Sequence, residues 1–325
     1  MNPSEVLKEW NSTQSRVYRL SEADLRWNHE QQNLVVYRVV RIGGVPCITS
    51  IASKDGAATG IPAKNLWLNL WGDIEEGKEA AFVAALEDHV TQAGYSKLVI
   101  GGDEFHCVPG VPMESKRGQG LKAALAQASF SGAEAADFAG RLDSNEVDTY
   151  VSDALMKAEE RGLSFTKVIS VATQDQLEMF LDKEFPGRWA REFRFWRSRE
   201  DTRRAVWMTL RDQTDGVIGF ARIAVRGRHL PLDKGWTPGA LRLPLDSKDL
   251  LITGSDSCLG PIGVAVSERG KGTGKVLLGL VLETLRHKNA ERVCIDWTNA
   301  FKYYEPLGFE IARRYWTAWK SIPSS

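Results

Sequence analysis

Apolar and polar positions alternate in a regular succession along the second half of the chain. Period-two alternation predicts a strand at 167–173, and Leu177, Phe180 and Leu181 lie on one face of a helix predicted at 175–185. Two further strands, 205–212 and 216–225, form a predicted hairpin. The pattern then predicts a strand at 260–266, a helix at 275–287, a buried strand at 292–298, a short helix at 300–309 and a last strand at 312–320. This order is typical of an α/β fold with a mixed sheet of the α+β kind.

The first half repeats the same order in weaker form. It contains a predicted hairpin of strands 35–41 and 45–51 around Gly43 and Gly44, a strand at 66–71, a helix at 79–90 and a strand at 97–102. A chain of 325 residues suits two domains of roughly 100–150 residues each. We therefore predict two domains of one fold, residues 1–165 and residues 166–325.

Composition narrows the classes of partner. The 42 basic residues balance 42 acidic ones, so no net charge favours nucleic acid or an anionic membrane. No apolar run approaches the ~20 residues that span a bilayer, and the charged start of the chain is unlike a secretory signal. The four cysteines form no CxxC pair and the five histidines no HxxxH spacing, so no metal site is expected. A cytoplasmic protein without a nucleic-acid or membrane partner fits best.

A glycine-rich turn precedes the helix at 275–287. It reads Arg269-Gly270-Lys271-Gly272-Thr273-Gly274, followed by Lys275. Glycines lack Cβ atoms, so backbone N–H groups can approach an anion, and the helix N-terminus adds further donors. The turn is neither a Walker loop, since Val276 follows the lysine, nor a dinucleotide fingerprint. It suits a pyrophosphate.

This turn resembles the R/Q-x-x-G-x-G/A signature of GNAT acetyltransferases. The segment GPIGVAV at 260–266 resembles the family strand that pairs with the pantetheine arm, and NAFKYYEPLGF at 299–309 resembles its second motif. The resemblance covers about residues 167–320 and implies acetyl-CoA as the co-substrate. The positions that it assigns to the coenzyme are Val264, Val266, Arg269, Gly270, Lys271, Gly272, Thr273, Gly274, Lys275 and Asn299.

The same resemblance suggests two catalytic side chains. Tyr304, four residues before Gly308, would protonate the departing thiolate, although it could instead be a packing residue like Tyr303. Asp296 is the candidate base or amine-orienting group, although strand alternation could point it to solvent. Asn299 could cap the following helix rather than touch the coenzyme.

The first half departs from the signature at the corresponding loop. Residues 72–78 read GDIEEGK, with three carboxylates where a pyrophosphate needs donors, so this copy is expected to be degenerate and to bind no coenzyme. The arrangement resembles tandem-GNAT proteins with one scaffold copy. The segment from His106 to Pro112 resembles a segment of those that act on amino sugars. Candidate acceptor-binding residues are Asp103, Glu104 and His106, and Trp236 in the Pro- and Gly-rich stretch 226–257.

These features predict an N-acetyltransferase that moves an acetyl group directly to a small primary amine within a ternary complex. A protein lysine or N-terminal acetyltransferase and a catalytically silent acyl-CoA sensor remain alternatives. The arginine-rich segment 188–199 is interpreted as an amphipathic helix with a solvated basic face, or alternatively as a site for an anionic partner.

Overall fold

The computed structural model of the protein describes residues 2–14, 35–102, 108–198, 205–225 and 256–323. Among them, residues up to Ala136 and from Ala312 onward form one compact unit, and residues between Asp137 and Ile311 form a second. These units follow from packing, whereas the predicted domains 1–165 and 166–325 follow from the sequence repeat. That division of the sequence stays a prediction.

The helices and strands follow one another in the order that gives each unit its sheet. The α-helices are α1 (Pro3–Thr13), α2 (Lys54–Ala58), α3 (Glu79–Gln92), α4 (Lys116–Gln127), α5 (Asn145–Glu160), α6 (Val171–Glu184), α7 (Arg188–Arg197), α8 (Thr273–His287) and α9 (Phe301–Tyr304). The strands are β1 (Val35–Ile42), β2 (Val45–Ala52), β3 (Asn65–Trp71), β4 (Lys97–Ile100), β5 (Val111–Pro112), β6 (Ser131–Arg141), β7 (Ser164–Lys167), β8 (Ala205–Arg211), β9 (Val217–Val225), β10 (Asp256–Val264), β11 (Arg292–Thr298) and β12 (Glu310–Ser321). Short 3₁₀ turns cover Val266–Glu268 and Glu305–Leu307.

The first unit is built on strands in the order β1-β2-β3-β4-β12. The pairs β1–β2 and β2–β3 are antiparallel, and β3 and β4 are parallel. The predicted hairpin is confirmed, with Gly43 and Gly44 in the turn at φ 56° and 85°, a region that glycine adopts at little cost. Strand β12 completes the unit by pairing antiparallel with β4, from Ala318 opposite Ile100 to Ser321 opposite Lys97.

The second unit repeats the same pairings. Its strands run in the order β7-β8-β9-β10-β11, with β6 beside β11. The pairs β8–β9 and β9–β10 are antiparallel, and β10 and β11 are parallel. In both units a helix, α3 or α8, connects the two parallel strands. The predicted mixed α/β fold is confirmed, and the repeated pairing scheme is the fold-level sign of duplication.

Helix α8 anchors the core of the second unit. It buries a broad face made of Val276, Leu277, Leu278, Val281, Leu282 and Leu285. Gly279 lies so close to Ala154 of α5 that a Cβ atom on Gly279 would stand 2.2 Å from the alanine methyl carbon. Because a side chain at either position would separate the helices, these two small residues set how closely α5 and α8 pack.

The strand predicted at 167–173 is wrong beyond Lys167. Strand β7 ends there, and α6 begins at Val171. Ser170 and Thr173 form a capping box in which each side chain accepts a hydrogen bond from the backbone N–H of the other. This start signal outweighs the apolar alternation across Val168, Ile169 and Val171.

The arginine-rich segment forms α7 as predicted. Phe193 and Trp196 are buried, so the helix is amphipathic. Its basic face is paired within the unit: Arg194 contacts Glu178 and Asp182, and Arg197 contacts Glu178 and Asp175, all on α6. These ion pairs take up the charges of Arg194 and Arg197 within the unit, which favours the interpretation as an amphipathic helix.

None of the described helices is long and apolar enough to cross a membrane. In the same part of the chain, no three side chains of His, Cys, Asp or Glu come together in a way that could hold a metal ion. Cys47, Cys258 and Cys294 are buried, and burial raises the pKa of the Cys47 thiol.

We predict that Trp316→Ala destabilises the first unit by about 3–5 kcal/mol, the usual loss for removing a buried aromatic side chain. Trp316 of β12 is buried in the core of this unit, against Gly132 of β6. Urea unfolding followed by circular dichroism measures the loss. Trp319→Ala is the matched control, because Trp319 lies on the same strand but is only partly buried. An equal loss in both variants would show that β12 does not contribute through its buried face.

Candidate functional site

The central feature of the second unit is the place where β10 and β11 separate. Their parallel pairing runs from Asp256 opposite Arg292 to Leu259 opposite Ile295. Beyond that point β10 continues to Val264 on the β9 side, with Val264 opposite Gly219. The two strands therefore diverge, and the edge of β10 that faces away from β9 is directed into the gap.

A cavity of about 540 Å³ occupies this gap. Its walls come from β10, from β11 and the turn after it, from the start of α8, and from α7 and α9. The lining residues are Arg188, Trp189, Leu259 to Val264, Arg269, Gly274, Leu277, Ile295, Trp297 to Ala300, Tyr303 and Tyr304. All of them belong to the second unit. The volume lies in the range of small-molecule sites.

The glycine-rich turn forms one end of the cavity, with Arg269 and Gly274 in the lining. Gly270 and Gly272 have φ of 78° and 79°, and a Cβ atom at either would meet nothing within 4 Å. Gly272 is the N-cap of the 15-residue helix α8, and no side chain caps this helix. The turn thus presents open backbone next to an uncapped helix N-terminus, a combination that favours a bound anion.

Glu268 holds this turn in place. Its carboxylate accepts hydrogen bonds from the Thr273 hydroxyl at 2.7 Å, from Lys271 Nζ at 3.0 Å and from Arg161 at 2.9 Å. The Thr273 hydroxyl first, and then the Lys271 ammonium, lower the pKa of Glu268 below its ordinary value. The buried Thr273 therefore stabilises the turn through its hydrogen bond to Glu268. The charge of Lys271 is partly neutralised by the same carboxylate, whereas the side chain of Arg269 is exposed.

Two adjacent tyrosines border the cavity. Tyr304 is 3% exposed and packs on Phe138, with ring centroids 5.7 Å apart. The hydroxyl of Tyr303 donates to the carbonyl oxygen of Gly274, so α9 is tied to the start of α8. Burial raises the pKa of Tyr303. Tyr303 and Tyr304 both line the cavity, and Tyr304 was the predicted catalytic residue.

Helix α7 contributes a wall that the sequence reasoning missed. The guanidinium of Arg188 lies 4.2 Å from the ring centroid of Trp297, a cation–π distance. Arg188 Nε donates to Glu192 Oε1 at 2.5 Å, and the buried Glu192 also lies 3.7 Å from Arg222. The sequence did contain an indication of this wall: Glu192 lies next to Phe193 on the apolar side of the predicted helix, where a buried carboxylate requires a positively charged or hydrogen-bonding partner.

Of the remaining residues predicted to bind the coenzyme, some line the cavity and others do not. Val264 and Asn299 line the cavity, and Lys275 is exposed on the first turn of α8. The backbone N–H of Val266 donates to Glu184 Oε2 at 2.9 Å, a different partner from the predicted one. Helix capping by Asn299 is wrong, because Ala300 is the N-cap of α9 and no side chain caps that helix.

Several other predicted residues lie beyond what the structure describes. Asp296 belongs to β11, but its side chain is outside the described part of the chain. Asp103, Glu104, His106 and Trp236 lie entirely outside the described residues. Their assignments stay predictions.

The corresponding loop of the first unit is occupied by its own ion pairs. Asp73 pairs with Arg117, and Glu76 pairs with Lys116 at 2.6 Å, both at the start of α4. Gly77 has φ of 83°, close to the values of Gly270 and Gly272, but the N-cap of the following helix is Lys78 at φ −101°, whereas Gly272 has φ 79°, so the two turns differ in backbone conformation as well as in charge. Carboxylates stand where an anion would bind, which agrees with the expected degeneracy of this copy.

Comparison with known proteins identifies the second unit. Residues 170–309 match the model of the acetyltransferase (GNAT) family. No curated protein sequence matches the chain.

Two solved structures resemble the chain over nearly its full length. One is a GCN5-related glucosamine N-acetyltransferase region of a fungal multi-domain GH3 β-N-acetylglucosaminidase, with a TM-score of 0.74 and 18% identity, covering 98% of this chain and 36% of the other. The other is a tandem GNAT protein from the clavulanic acid biosynthesis pathway, with a TM-score of 0.57 and 14% identity, covering 100% and 97%. At these identities the likeness concerns the fold. Residues 170–309 are therefore an acetyltransferase domain of the GNAT family, within a chain that has the fold of a tandem GNAT protein.

Proposed function

We propose that the protein is an acetyl-CoA-dependent N-acetyltransferase whose acceptor is the primary amine of a small molecule. The observation that carries the proposal is the open glycine turn at the uncapped N-terminus of α8, which borders the cavity between the diverging strands. The turn offers backbone donors to a pyrophosphate, and the unpaired edge of β10 offers backbone groups to a pantetheine arm.

The geometry gives the coenzyme one direction. The phosphate turn follows the carboxyl end of β10, whereas the strands meet at Leu259 and Ile295. Val264 lies five positions after Leu259, and because the strand is irregular between Leu259 and Ile262 this stretch spans at most about 17 Å, at roughly 3.3 Å per residue. The turn from Arg269 to Gly274 would hold the phosphates of the coenzyme, and the gap that narrows toward Trp297 would take its thioester end.

Acetyl-CoA supplies an activated acetyl group as a thioester. In direct transfer, the amine nitrogen bonds to the acetyl carbon, the carbon–sulfur bond breaks, and a proton is delivered to the sulfur. Tyr304 is the proposed donor of that proton, because its ring borders the cavity in a buried position. Asp296, on the strand that carries Trp297, is the proposed group that receives the proton of the amine or orients it.

The acceptor class rests on two observations. A cavity of about 540 Å³ suits a small molecule together with the reactive end of the coenzyme. The structural likeness to a glucosamine N-acetyltransferase region favours an amino sugar among small amines. Acetyl-CoA turnover against amino sugars, polyamines and lysine peptides tests this choice. Peptide-only turnover would favour a protein acetyltransferase, and acetyl-CoA binding without any turnover would favour a sensor.

We predict that Gly272→Val weakens acetyl-CoA binding strongly, measured by calorimetry. A β-branched residue at φ 79° is strained, and its side chain would fill the space open to the phosphates. Gly77→Val is the matched control, because Gly77 has a similar φ of 83° and equally open surroundings next to the acidic loop. Both variants lose stability, but only Gly272→Val loses affinity. Equal affinity in the two variants would remove the phosphate-binding role of this turn.

We predict a pH-dependent contribution of Glu268 to stability. Because its folded pKa is lowered, the stabilisation is fully present above the ordinary value of 4.5 and is lost as the pH falls through the folded pKa. The difference in melting temperature between wild type and Glu268→Gln therefore stays constant around neutral pH, from about pH 6 to about pH 8, and shrinks only in acid. Thermal unfolding of both proteins across the pH range measures it. A difference that grows on acidification would contradict the assignment.

We predict that Tyr304→Phe lowers kcat by about 100- to 10,000-fold, the usual range for general acid–base catalysis, if proton delivery limits turnover. Acetyl-CoA affinity stays near the wild-type value, because the ring still packs on Phe138. Tyr303→Phe is the control. Its hydroxyl donates to the Gly274 carbonyl, so the change affects coenzyme affinity more than kcat. Steady-state kinetics with full activity in Tyr304→Phe would make Tyr304 a structural residue.

A further inference from the structure

A buried carboxylate accepts a hydrogen bond from β11 beside the cavity. Asp137 of β6 is 1% exposed, and its Oδ1 accepts the backbone N–H of Trp297 at 2.7 Å. Strand β6 flanks β11 on the side away from β10, whose pairing with β11 has ended two residues earlier, at Ile295. The carboxylate therefore holds β11 from the β6 side at the point where β10 no longer pairs with it.

The backbone at Trp297 has an unusual conformation. Its φ is 39°, in the left-handed region that a bulky residue rarely adopts. Such a conformation persists only where surrounding interactions hold it, and it changes the direction of the side chain relative to a regular strand. The hydrogen bond to Asp137 is an interaction of that kind, made at the strained residue itself.

Trp297 in turn supports the wall of the cavity. Its indole lines the cavity, and the Arg188 guanidinium lies on its ring, held from behind by Glu192. Trp297 stands near the closed end of the gap, whereas the phosphate turn follows the far end of β10. A shift of Trp297 would therefore move the reacting end of the cavity and leave the phosphate turn in place.

From this arrangement we propose that Asp137 is a positioning residue, which fixes Trp297, and through it Arg188, at the acceptor end of the cavity. The inference rests on the proposed acetyltransferase function. Asp137 touches no reactant, because it acts through the backbone of Trp297. Loss of its carboxylate lets β11 relax toward a regular strand and misplaces the ring against which the acceptor sits.

The primary test compares Asp137→Ala with Ser257→Ala. The Ser257 hydroxyl donates to the carbonyl oxygen of Arg292 at 2.7 Å, so this control removes a buried hydrogen bond between β10 and β11 where they are still paired. We expect Asp137→Ala to lower kcat/KM for the acceptor by about 10- to 100-fold, a usual effect of misplacing reacting groups by about 1 Å. The dissociation constant for acetyl-CoA stays within about twofold in both variants, since neither alters the phosphate turn.

A second background separates positioning from general destabilisation. Glycine adopts a φ of 39° without strain, so Trp297→Gly removes both the ring and the backbone strain at this position. In that background, adding Asp137→Ala has no further effect on the acceptor KM. A persisting effect would show that Asp137 acts by another route and would overturn the proposal.

Asp137→Asn covers the case in which the alanine variant does not fold. The neutral amide oxygen is a weaker acceptor than the carboxylate, so amide hydrogen exchange at Trp297 accelerates and kcat/KM for the acceptor falls by a smaller factor than with alanine. Faster exchange with an unchanged kcat/KM for the acceptor would overturn the inference. A wild-type protein that neither binds acetyl-CoA nor acetylates an amine would overturn the proposed function itself. An active wild type whose acceptor kinetics match those of Asp137→Ala would overturn only the role of Asp137.

Discussion

Backbone hydrogen bonding between β10 and β11 stops at Leu259 and Ile295 although both strands continue, and the cavity exists because of this interruption. Buried backbone groups cannot be left without partners, so an opening of this kind needs substitutes for the lost pairing. On the other side of β11, where β6 lies, Asp137 accepts the backbone N–H of Trp297 and holds the strand beside the opening. On the β10 side, groups exposed toward the gap are available to a bound molecule. The architecture thus converts an incomplete sheet into a binding surface.

The rigid surroundings of the opening make this possible. Helix α8 is packed along one broad apolar face, while its first turn stays uncapped and open. Glu268 fixes the preceding turn through three donors, and Tyr303 ties α9 to the carbonyl of Gly274. Apolar burial therefore fixes the position of α8, and polar contacts fix the conformation of the turn at its N-terminus. In the first unit the helix after the equivalent turn begins at a lysine with negative φ, and ion pairs of Asp73 and Glu76 take the place of an open anion site.

Local patterns predicted the elements whose signals lie within a few residues. The two hairpins, α8 and the glycine turn follow from alternation, helical spacing and glycine placement, whereas Tyr304 was assigned only through the resemblance of residues 299–309 to the second GNAT motif. The start of α6 was misplaced because a capping box outweighed alternation. Helix α4 was missed because Gly118 and Gly120 interrupt its pattern, although Gly118 lies against the Pro112 carbonyl. Asp137 and Arg188 both contact Trp297, which lies more than a hundred residues further along the chain. A local sequence pattern cannot predict such contacts.

The last strand carries a consequence for biosynthesis. Trp316, Ala318 and Ile322 belong to the core of the first unit, yet every residue of the second unit is translated before them. At roughly 5–20 residues per second, the ribosome needs on the order of ten seconds or more to travel from the end of the early segment to β12. During that interval β4 has an open edge, and open edges are templates for intermolecular pairing. The nascent chain therefore passes through a stage in which a chaperone or rapid completion protects it, and premature termination leaves that edge permanently uncovered.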